Sequence, residues 1–245
     1  MKPAIRIFAA SDMGCVRKNN EDNFKYMAEG EDFWAAVADG CGGEMAGEVA
    51  SRIAIDVFAQ EIDKNQGSPR DIVFILRDAV VKANRAILEE AKQADKRNMG
   101  TTFSGIYMRG KNLFTLHAGD SRIYRKRDGR FEQLTEDHTW VQDQVKRGKM
   151  TQDEADHHPK SGVLLRALGT PDFTAPDIDF LDGRPGDVIL ISSDGLHRVV
   201  SLEEISEAMD LDQETAVKML IETALKRGSP DNVTVIAMKI EAVGE

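Results

Sequence analysis

The apolar residues near the start of the chain follow patterns typical of short strands. Residues 6–12 and 24–27 predict strands separated by a charged segment, and the nearly continuous apolar run 33–38 predicts a strand buried on both faces. That run stops at 39–43, where three glycines permit backbone conformations closed to other residues. A tight turn that carries Asp39 is therefore expected directly after a core strand.

Two helices and then several short strands are predicted next. Apolar residues recur at helical spacing over 49–58 and again over 72–87, which predicts an antiparallel pair of amphipathic helices. From 101 to 134, β-rich runs alternate with hairpin-like turns at 109–112 and 127–129. This part of the chain predicts an antiparallel meander.

The segment 139–160 is polar and helical, and it predicts a surface flap. Thr151 followed three positions later by Glu154 has the form of a capping box. The C-terminal part predicts a strand, two helices and a last strand, at 187–193, 202–209, 215–226 and 233–240. Because no repeat, linker or change of composition interrupts this order, a single domain over 1–245 is expected.

Composition narrows the possible functions. A hydrophobic content of 41% with 30% charged residues is that of a folding globular chain, and the net charge of −10 opposes binding to nucleic acid or to anionic membranes. The apolar runs fall far short of the roughly 20 residues of a membrane span, and the N-terminus has no apolar leader pattern. The chain has two cysteines, and they do not have the spacing of a zinc site. A cytoplasmic location without a membrane or nucleic-acid partner is predicted.

Carboxylates recur at the ends of the predicted core strands. Asp39 and Asp194 follow apolar strands and Asp231 precedes one, while Glu21 and Asp22 form a further acidic pair. Any single Asp-Gly pair is most often part of an ordinary turn, but three aspartates beside buried strands are harder to explain as turn residues. If they meet, each close pair repels by up to about 4 kcal/mol, so the cluster needs cations. An all-oxygen set favours Mg²⁺ or Mn²⁺, and two such ions about 3.5–4 Å apart would generate a bridging hydroxide and hold a phosphoryl group.

Ten short motifs occur in a fixed order between residues 6 and 240. They are Ser11-Asp12-x-Gly14-x-x-Arg17-x-x-Asn20-Glu21-Asp22, Val37-Ala38-Asp39-Gly40-x-Gly42-Gly43, Gly47-Glu48-x-Ala50-Ser51, Gly100-Thr101-Thr102, His117-Ala118-Gly119-Asp120-Ser121-Arg122-x-Tyr124, Leu134-Thr135-x-Asp137-His138, Arg166-Ala167-Leu168-Gly169, Gly186-Asp187, Ser193-Asp194-Gly195-Leu196 and Asp231-Asn232-Val233-Thr234-Val235. The ordered set resembles the protein phosphatase 2C family of metal-dependent serine/threonine phosphatases, in its bacterial type.

The resemblance implies a fold and a metal site. The expected fold is α+β, with a central antiparallel β-sandwich flanked by antiparallel helix pairs in α-β-β-α layers. Asp39 would bridge two metal ions, Mn²⁺ or Mg²⁺, and the carbonyl of Gly40 would bind one of them. Asp194 and Asp231 would complete the remaining shell.

Further residues take roles by the same resemblance. Glu21 and Asp22 match positions of direct or water-mediated ligands, and Asp120 matches a residue that helps to hold a third, weaker ion. Arg17 matches the arginine that binds the substrate phosphate, a role suited to its bidentate fork. One departure concerns Cys41, where many eukaryotic members carry the histidine proposed as general acid. That role does not transfer, and the thiol is interpreted as either an inert filler or a redox-sensitive group.

Several other features have ordinary structural explanations. The segment 105–111 resembles a phosphate-binding loop but lacks the following Ser or Thr. His117 and His138 are expected to make structural hydrogen bonds, and His157 with its neighbour His158 to lie on a solvated loop. The basic run 122–130 predicts a solvated hairpin face, with recruitment of phosphorylated partners as the alternative.

Together these features predict an enzyme. The expected reaction is hydrolysis of phosphoserine or phosphothreonine in proteins by a metal-bridging hydroxide, without a phosphoenzyme, in opposition to a serine/threonine kinase. A phosphoprotein-binding pseudophosphatase is one alternative, disfavoured because every proposed metal carboxylate is present. A phosphatase of small phosphometabolites is the other.

Overall fold

The computed structural model describes residues 4–28, 32–42, 46–68, 70–93 and 99–241. The strands in these residues are β1 (Ala4–Asp12), β2 (Asp22–Met27), β3 (Asp32–Cys41), β4 (Gly100–Thr101), β5 (Phe103–Arg109), β6 (Asn112–Ala118), β7 (Arg122–Arg127), β8 (Arg130–Gln133), β9 (Asp177–Asp182), β10 (Val188–Ser192) and β11 (Val233–Glu241). They form two antiparallel sheets, with the strand orders β1-β11-β10-β7-β8 and β2-β3-β5-β6-β9, and β4 pairs with β3.

Helices pack on the outer face of each sheet. The helices of the described residues are α1 (Ala46–Lys64), α2 (Ile72–Gln93), α3 (Trp140–Lys146), α4 (Gln152–Asp156), α5 (Asp194–His197), α6 (Leu202–Ala208) and α7 (Gln213–Lys226). The paired helices α1 and α2 pack on the sheet that contains β3, whereas α5, α6 and α7 pack on the sheet that contains β11. None of the helices in the described ranges is long and apolar enough to cross a bilayer.

Three apolar layers hold this arrangement together. One lies under α1 and α2, a second under α5–α7, and the third fills the space between the sheets with side chains such as Val37, Ile106 and Ile236. The predicted α-β-β-α sandwich is confirmed. The apolar run 33–38 is buried on both faces as expected, because helices pack on one side of β3 and the other sheet on its opposite side.

The structure corrects the predicted element ends beside the acidic residues. Asp39 belongs to β3 instead of a turn, because Asp22 of β2 pairs with it and β4 extends the pairing to Gly40 and Cys41. Gly43, in the predicted turn, lies outside the described residues. Asp194 begins a short helix, since the amide of Arg198 donates to its carbonyl. Asp39 and Asp194 therefore both belong to regular secondary structure.

The predicted meander over 101–134 is also corrected. The hairpins β5-β6 and β7-β8 form as expected, but they belong to different sheets, and β9 was not predicted at all. The chain crosses between the sheets at Gly119, which has a φ of +116° and packs against Thr102. A Cβ at Gly119 would lie 2.6 Å from Thr102 Cγ2, so this crossing requires glycine.

Candidate active site

A pocket of about 310 Å³ opens where strands of both sheets end. Residues far apart in the sequence line it together, and its charged members are Arg17, Glu21, Asp39, Asp120, Asp194, Arg198 and Asp231. Gly40 also lines the pocket. Of the predicted site residues, Asp22 alone lies outside this lining.

Asp39 is fixed at the pocket through its backbone. Its N–H donates to Thr102 Oγ1 (2.9 Å), and its carbonyl accepts from the Thr102 N–H (2.8 Å) and from Thr101 Oγ1 (2.9 Å). The next residue, Gly40, packs so closely on Gly47 that a Cβ at Gly40 would lie 2.2 Å from the Gly47 carbonyl oxygen. Regular strand pairing and this close approach together set where the Asp39 carboxylate stands.

Asp22 lies behind the pocket, opposite Asp39 in the β2-β3 register. Its side chain is buried, and its Oδ2 accepts hydrogen bonds from Ser193 Oγ and Thr234 Oγ1, both at 2.7 Å. Among the described residues its Oδ1 has no hydrogen-bond partner. Asp22 therefore faces Asp39 from outside the pocket lining.

Two further carboxylates are each paired with an arginine. Asp194 Oδ2 contacts Arg198 Nη2 at 2.5 Å, four residues on and directly after α5, while Asp194 Oδ1 is buried and has no hydrogen-bond partner in the described part of the chain. Asp231 Oδ2 accepts from Arg17 Nη2 at 2.8 Å, and Arg17 also lies 3.7 Å from Glu21. The two guanidinium groups therefore partly neutralise the acidic pocket.

Burial and mutual repulsion favour the protonated forms of these carboxyl groups. The pKa values of Asp39 and Asp120 lie well above the ordinary value, because both are desolvated and both face further carboxylates, Asp194 among them. Desolvation also raises the pKa of Asp22 and of Asp194, although Arg198 opposes the latter shift. Groups so perturbed in one pocket mark a functional site.

The donor chemistry fits hard divalent cations. In the described ranges no three Asp, Glu, His or Cys side chains are arranged to hold an ion as they stand, and Asp194 and Asp231 each turn one oxygen to an arginine. All the candidate ligands are nonetheless oxygens, and the buried Asp194 Oδ1 accepts no hydrogen bond from any residue that the structure describes. A cation would relieve both the repulsion and the missing hydrogen bond.

Sequence reasoning missed two features of the pocket. Arg198 lines it, and its i,i+4 spacing from Asp194 would have indicated the contact had a helix been predicted there. The predicted flap, 139–160, contains α3 and α4 with the expected capping box of Thr151 and Glu154. The residues that reach the pocket, Gly162 and Leu164, follow the predicted boundary, and no local pattern marked them.

The structural explanations proposed for His117, His138 and residues 105–111 agree with their contacts. His117 bonds to Ser104 (2.9 Å) and to the carbonyl of Glu136 (3.0 Å), and His138 bonds to Gly119 and to Asp177. Neither histidine lines the pocket. Residues 105–111 belong to the β5-β6 hairpin, which excludes a phosphate-binding loop. The prediction of a solvated hairpin face for the basic run 122–130 is wrong, because the side chains of Arg122, Arg125, Lys126 and Arg127 are only 12–19% exposed and each is paired with a carboxylate. This pairing also leaves little charge to recruit phosphorylated partners.

Cys41 lies at the exposed mouth of the pocket. Desolvation, with the charges of Asp120 and Glu21, raises the pKa of its thiol to about 11. The thiol therefore stays protonated at neutral pH, and of the two interpretations the inert one is favoured.

Comparison with known proteins agrees with this geometry. Residues 16–238 match the family model described as Protein phosphatase 2C. The chain belongs to the protein phosphatase 2C family.

Relatives in this family are similar over nearly the whole chain. Serine/threonine protein phosphatase PstP of Mycobacterium tuberculosis is 40% identical over 238 residues, 96% of this chain and 45% of PstP, so the chain spans less than half the length of that relative. Protein phosphatase PhpP of Streptococcus pneumoniae is 30% identical over 94% of this chain and 96% of its own. The crystal structure of the PstP catalytic domain in complex with two manganese ions is 38% identical, with a TM-score of 0.88, and covers 98% of this chain and 100% of that one.

Proposed function

We propose that this chain is a Mn²⁺- or Mg²⁺-dependent phosphatase that hydrolyses phosphoserine and phosphothreonine in proteins. The observation that carries the proposal is the convergence of five carboxylates and Arg17 on one pocket. Family membership supports it, as do the names of relatives, which are serine/threonine protein phosphatases. The PstP catalytic domain binds two manganese ions, and its sequence and fold are similar to those of this chain.

The proposed metal-holding residues are those that line the pocket. Asp39 and the Gly40 carbonyl belong to one sheet, and Asp194 and Asp231 adjoin strands of the other. Glu21 and Asp120 also line the pocket, and Asp22, which pairs with Asp39 in the strand register, is proposed to act on the metal through a water. When bound, a pair of such ions supplies an activated water and positive charge for the phosphoryl oxygens.

Arg17 is the proposed phosphate-binding residue. Its side chain is 47% exposed and contacts Asp231 through one nitrogen, so other N–H groups of its fork remain available to phosphate oxygens. Cys41 is not assigned the task of protonating the leaving alkoxide. The proton is proposed to come from water.

The wider setting is proposed on similar grounds. The single-domain prediction is kept for 1–245, with 139–160 as a flap beside the pocket. Two free cysteines, Cys15 and Cys41, suit a reducing compartment, which supports action in the cytoplasm. A signalling role opposite a serine/threonine kinase follows from the proposed substrates.

Activity on phosphopeptides with added and removed metal tests this function. Turnover of phosphoserine and phosphothreonine peptides is expected to require Mn²⁺ or Mg²⁺ and to stop in excess EDTA. Full turnover in EDTA would refute the metal site. Binding of phosphopeptides without turnover at saturating Mn²⁺ would favour a pseudophosphatase, and a much higher kcat/KM on small phosphometabolites would favour the metabolite enzyme.

A further inference from the structure

Arg198 is a cation held at the wall of the acidic pocket. It follows α5 directly, and its backbone N–H donates to the carbonyl of Asp194 (3.0 Å), which places the two side chains on one face of this turn. Its Nη2 contacts Asp194 Oδ2 at 2.5 Å, and its side chain lines the pocket. The pocket therefore contains a positive charge that one of its own carboxylates fixes in place.

The same guanidinium acts on Asp120 and lies close to Gly162. Desolvation and neighbouring carboxylates raise the pKa of Asp120, and the charge of Arg198 is among those that oppose this rise. A Cβ at Gly162 would lie 2.8 Å from Arg198 Nη2, so the glycine leaves the space that this nitrogen needs. Arg198 Nη2 therefore lies near both Asp194 and Gly162, in the pocket that Asp120 also lines.

The two carboxylate oxygens of Asp194 have different surroundings. Oδ2 is paired with Arg198, whereas Oδ1 is buried and has no hydrogen-bond partner in the described ranges. Oδ1 is therefore the oxygen that remains for a metal ion. A further ion held by Oδ2 and Asp120 would stand beside the positive guanidinium, and like charges at such short range repel. The pairing of Oδ2 with Arg198 thus disfavours that further ion.

We propose that Arg198 is a positioning residue that serves Asp194 and Asp120 as a built-in cation, in place of a third metal ion. The inference rests on the proposed function, because it takes the pocket as the site of two ions. The resemblance assigns Asp120 to a third, weaker ion, whereas here Arg198 supplies the positive charge that such an ion would bring. The chain is then expected to bind two Mn²⁺ ions and no third.

Replacing Arg198 tests whether it excludes an ion. Arg198→Ala removes the cation, Arg198→Gln removes the charge but keeps much of the side-chain length, and Arg198→Lys retains a positive charge. Arg147→Ala is the matched control, because Arg147 also pairs with an aspartate four residues before it and lies outside the pocket lining. The number of Mn²⁺ ions bound per chain, and the Kd of each, are measured by calorimetry and by the paramagnetic resonance signal of free Mn²⁺.

The wild type, Arg198→Lys and the control are expected to bind two ions. Arg198→Ala should bind a third Mn²⁺ ion at least about tenfold more tightly than the wild type does, because Asp194 Oδ2 is released and the repulsion by the guanidinium is lost. Adding Asp120→Asn to Arg198→Ala should abolish that third ion and leave the other two. If Arg198→Ala does not fold, Arg198→Gln should show the same gain.

Three results would overturn the proposal. One is a third ion bound equally well by the wild type and by Arg198→Ala. Another is a count of two ions in both Arg198→Ala and Arg198→Gln, and a rise of about tenfold in KM for a phosphopeptide in these variants would then identify Arg198 as a second phosphate-binding residue. The last is a third ion in Arg198→Ala that persists after Asp120→Asn. If the wild type binds no Mn²⁺ at all, the proposed function fails as well, which distinguishes that outcome from these three.

Discussion

Two charged regions of this protein differ in how completely the fold pairs their charges. The basic hairpin β7-β8 pairs its arginines with carboxylates, as in Arg125 with Glu132 (2.6 Å) and Arg127 with Asp187 (2.6 Å). The acidic pocket instead brings five carboxylates together with only two arginines, and within the described residues Asp194 Oδ1 is buried without a hydrogen-bond partner. The incomplete pairing of charge, and not the presence of charge, therefore distinguishes the candidate functional site.

The electrostatics of the two regions have opposite consequences for stability. A buried ion pair loses stability when one partner is removed, because the other charge stays buried alone. A cluster of like charges gains stability when one is removed, because repulsion falls. The same kind of substitution, Asp to Asn, should therefore act in opposite directions at the two places.

The largest effect is expected from Asp39→Asn. Turnover of a phosphopeptide should fall by about a thousandfold or more, because the proposed metal site loses its central ligand. The melting temperature of the metal-free protein should rise, since one carboxylate is removed from the cluster. Steady-state kinetics and thermal unfolding in EDTA check both, and a lower melting temperature in EDTA would contradict the repulsion argument.

Asp187→Asn is the matched change in the hairpin region. The Asp187 side chain is fully buried against Arg127, so this variant should lose about 3–5 kcal/mol of unfolding free energy. The kcat of the folded fraction should stay unchanged, because Asp187 is not part of the pocket lining. Urea unfolding and active-site-normalised kinetics measure the two quantities, and a large fall in kcat would show that the regions are not independent.

Replacing an arginine in each of the two regions should have different effects on the kinetics of phosphopeptide hydrolysis. Arg17→Ala is expected to raise KM for a phosphopeptide by about tenfold or more with a smaller fall in kcat, because a phosphate contact is lost while the metal ligands remain. Arg125→Ala, in the hairpin, should leave KM unchanged. Equal losses of kcat in Arg17→Ala and Asp231→Ala, with KM unchanged, would refute this division of roles.

Stability of the metal-free protein should fall as the pH rises from the ordinary carboxyl pKa of about 4 through the raised folded-state values of Asp39 and Asp120. The folded-state pKa values of Asp39 and Asp120 are raised, so the folded state still holds protons that the unfolded state has released. The slope is at most about 1.4 kcal/mol per pH unit for each such proton. Below about pH 6.5 the buried His117 and His197, whose pKa values are lowered, oppose this trend.

Denaturant unfolding between pH 5 and 9 in EDTA checks this expectation. Saturating Mn²⁺ should raise the melting temperature and reduce the slope, because the ion favours ionised carboxylates. In Asp39→Asn the slope without metal should be smaller than in the wild type. A flat profile in the metal-free wild type would show that the carboxylates ionise without cost.

The smallest effect is expected at Cys41. Cys41→Ser should change phosphopeptide turnover less than about tenfold and leave hydrolysis of a phenyl phosphate nearly intact, since a phenolate leaves without general-acid help. Mild oxidants should inhibit the wild type little, because the raised pKa keeps the thiol protonated. A loss of about 100-fold on phosphopeptide alone would identify Cys41 as the acid.

The sequence alone determined the sandwich and most of the pocket. The two-sided burial of 33–38, the helical spacing of α1 and α2, and the ordered motifs specify which strands are central and which carboxylates stand at their ends. These are local patterns, because period and turn chemistry depend on residues a few positions apart. Every predicted site residue except Asp22 accordingly lies on the pocket lining.

Tertiary structure determined which charged and polar groups pair with each other. Contacts across strands and sheets decide that Arg127 pairs with Asp187, whereas Asp194 Oδ1 has no hydrogen-bond partner among the described residues. The bond between Gly119 and His138 likewise joins residues 19 positions apart, across the crossing from one sheet to the other. Sheet register and close packing determine such partners. Both bring together residues that are distant in the sequence, and they produce no periodic pattern along it.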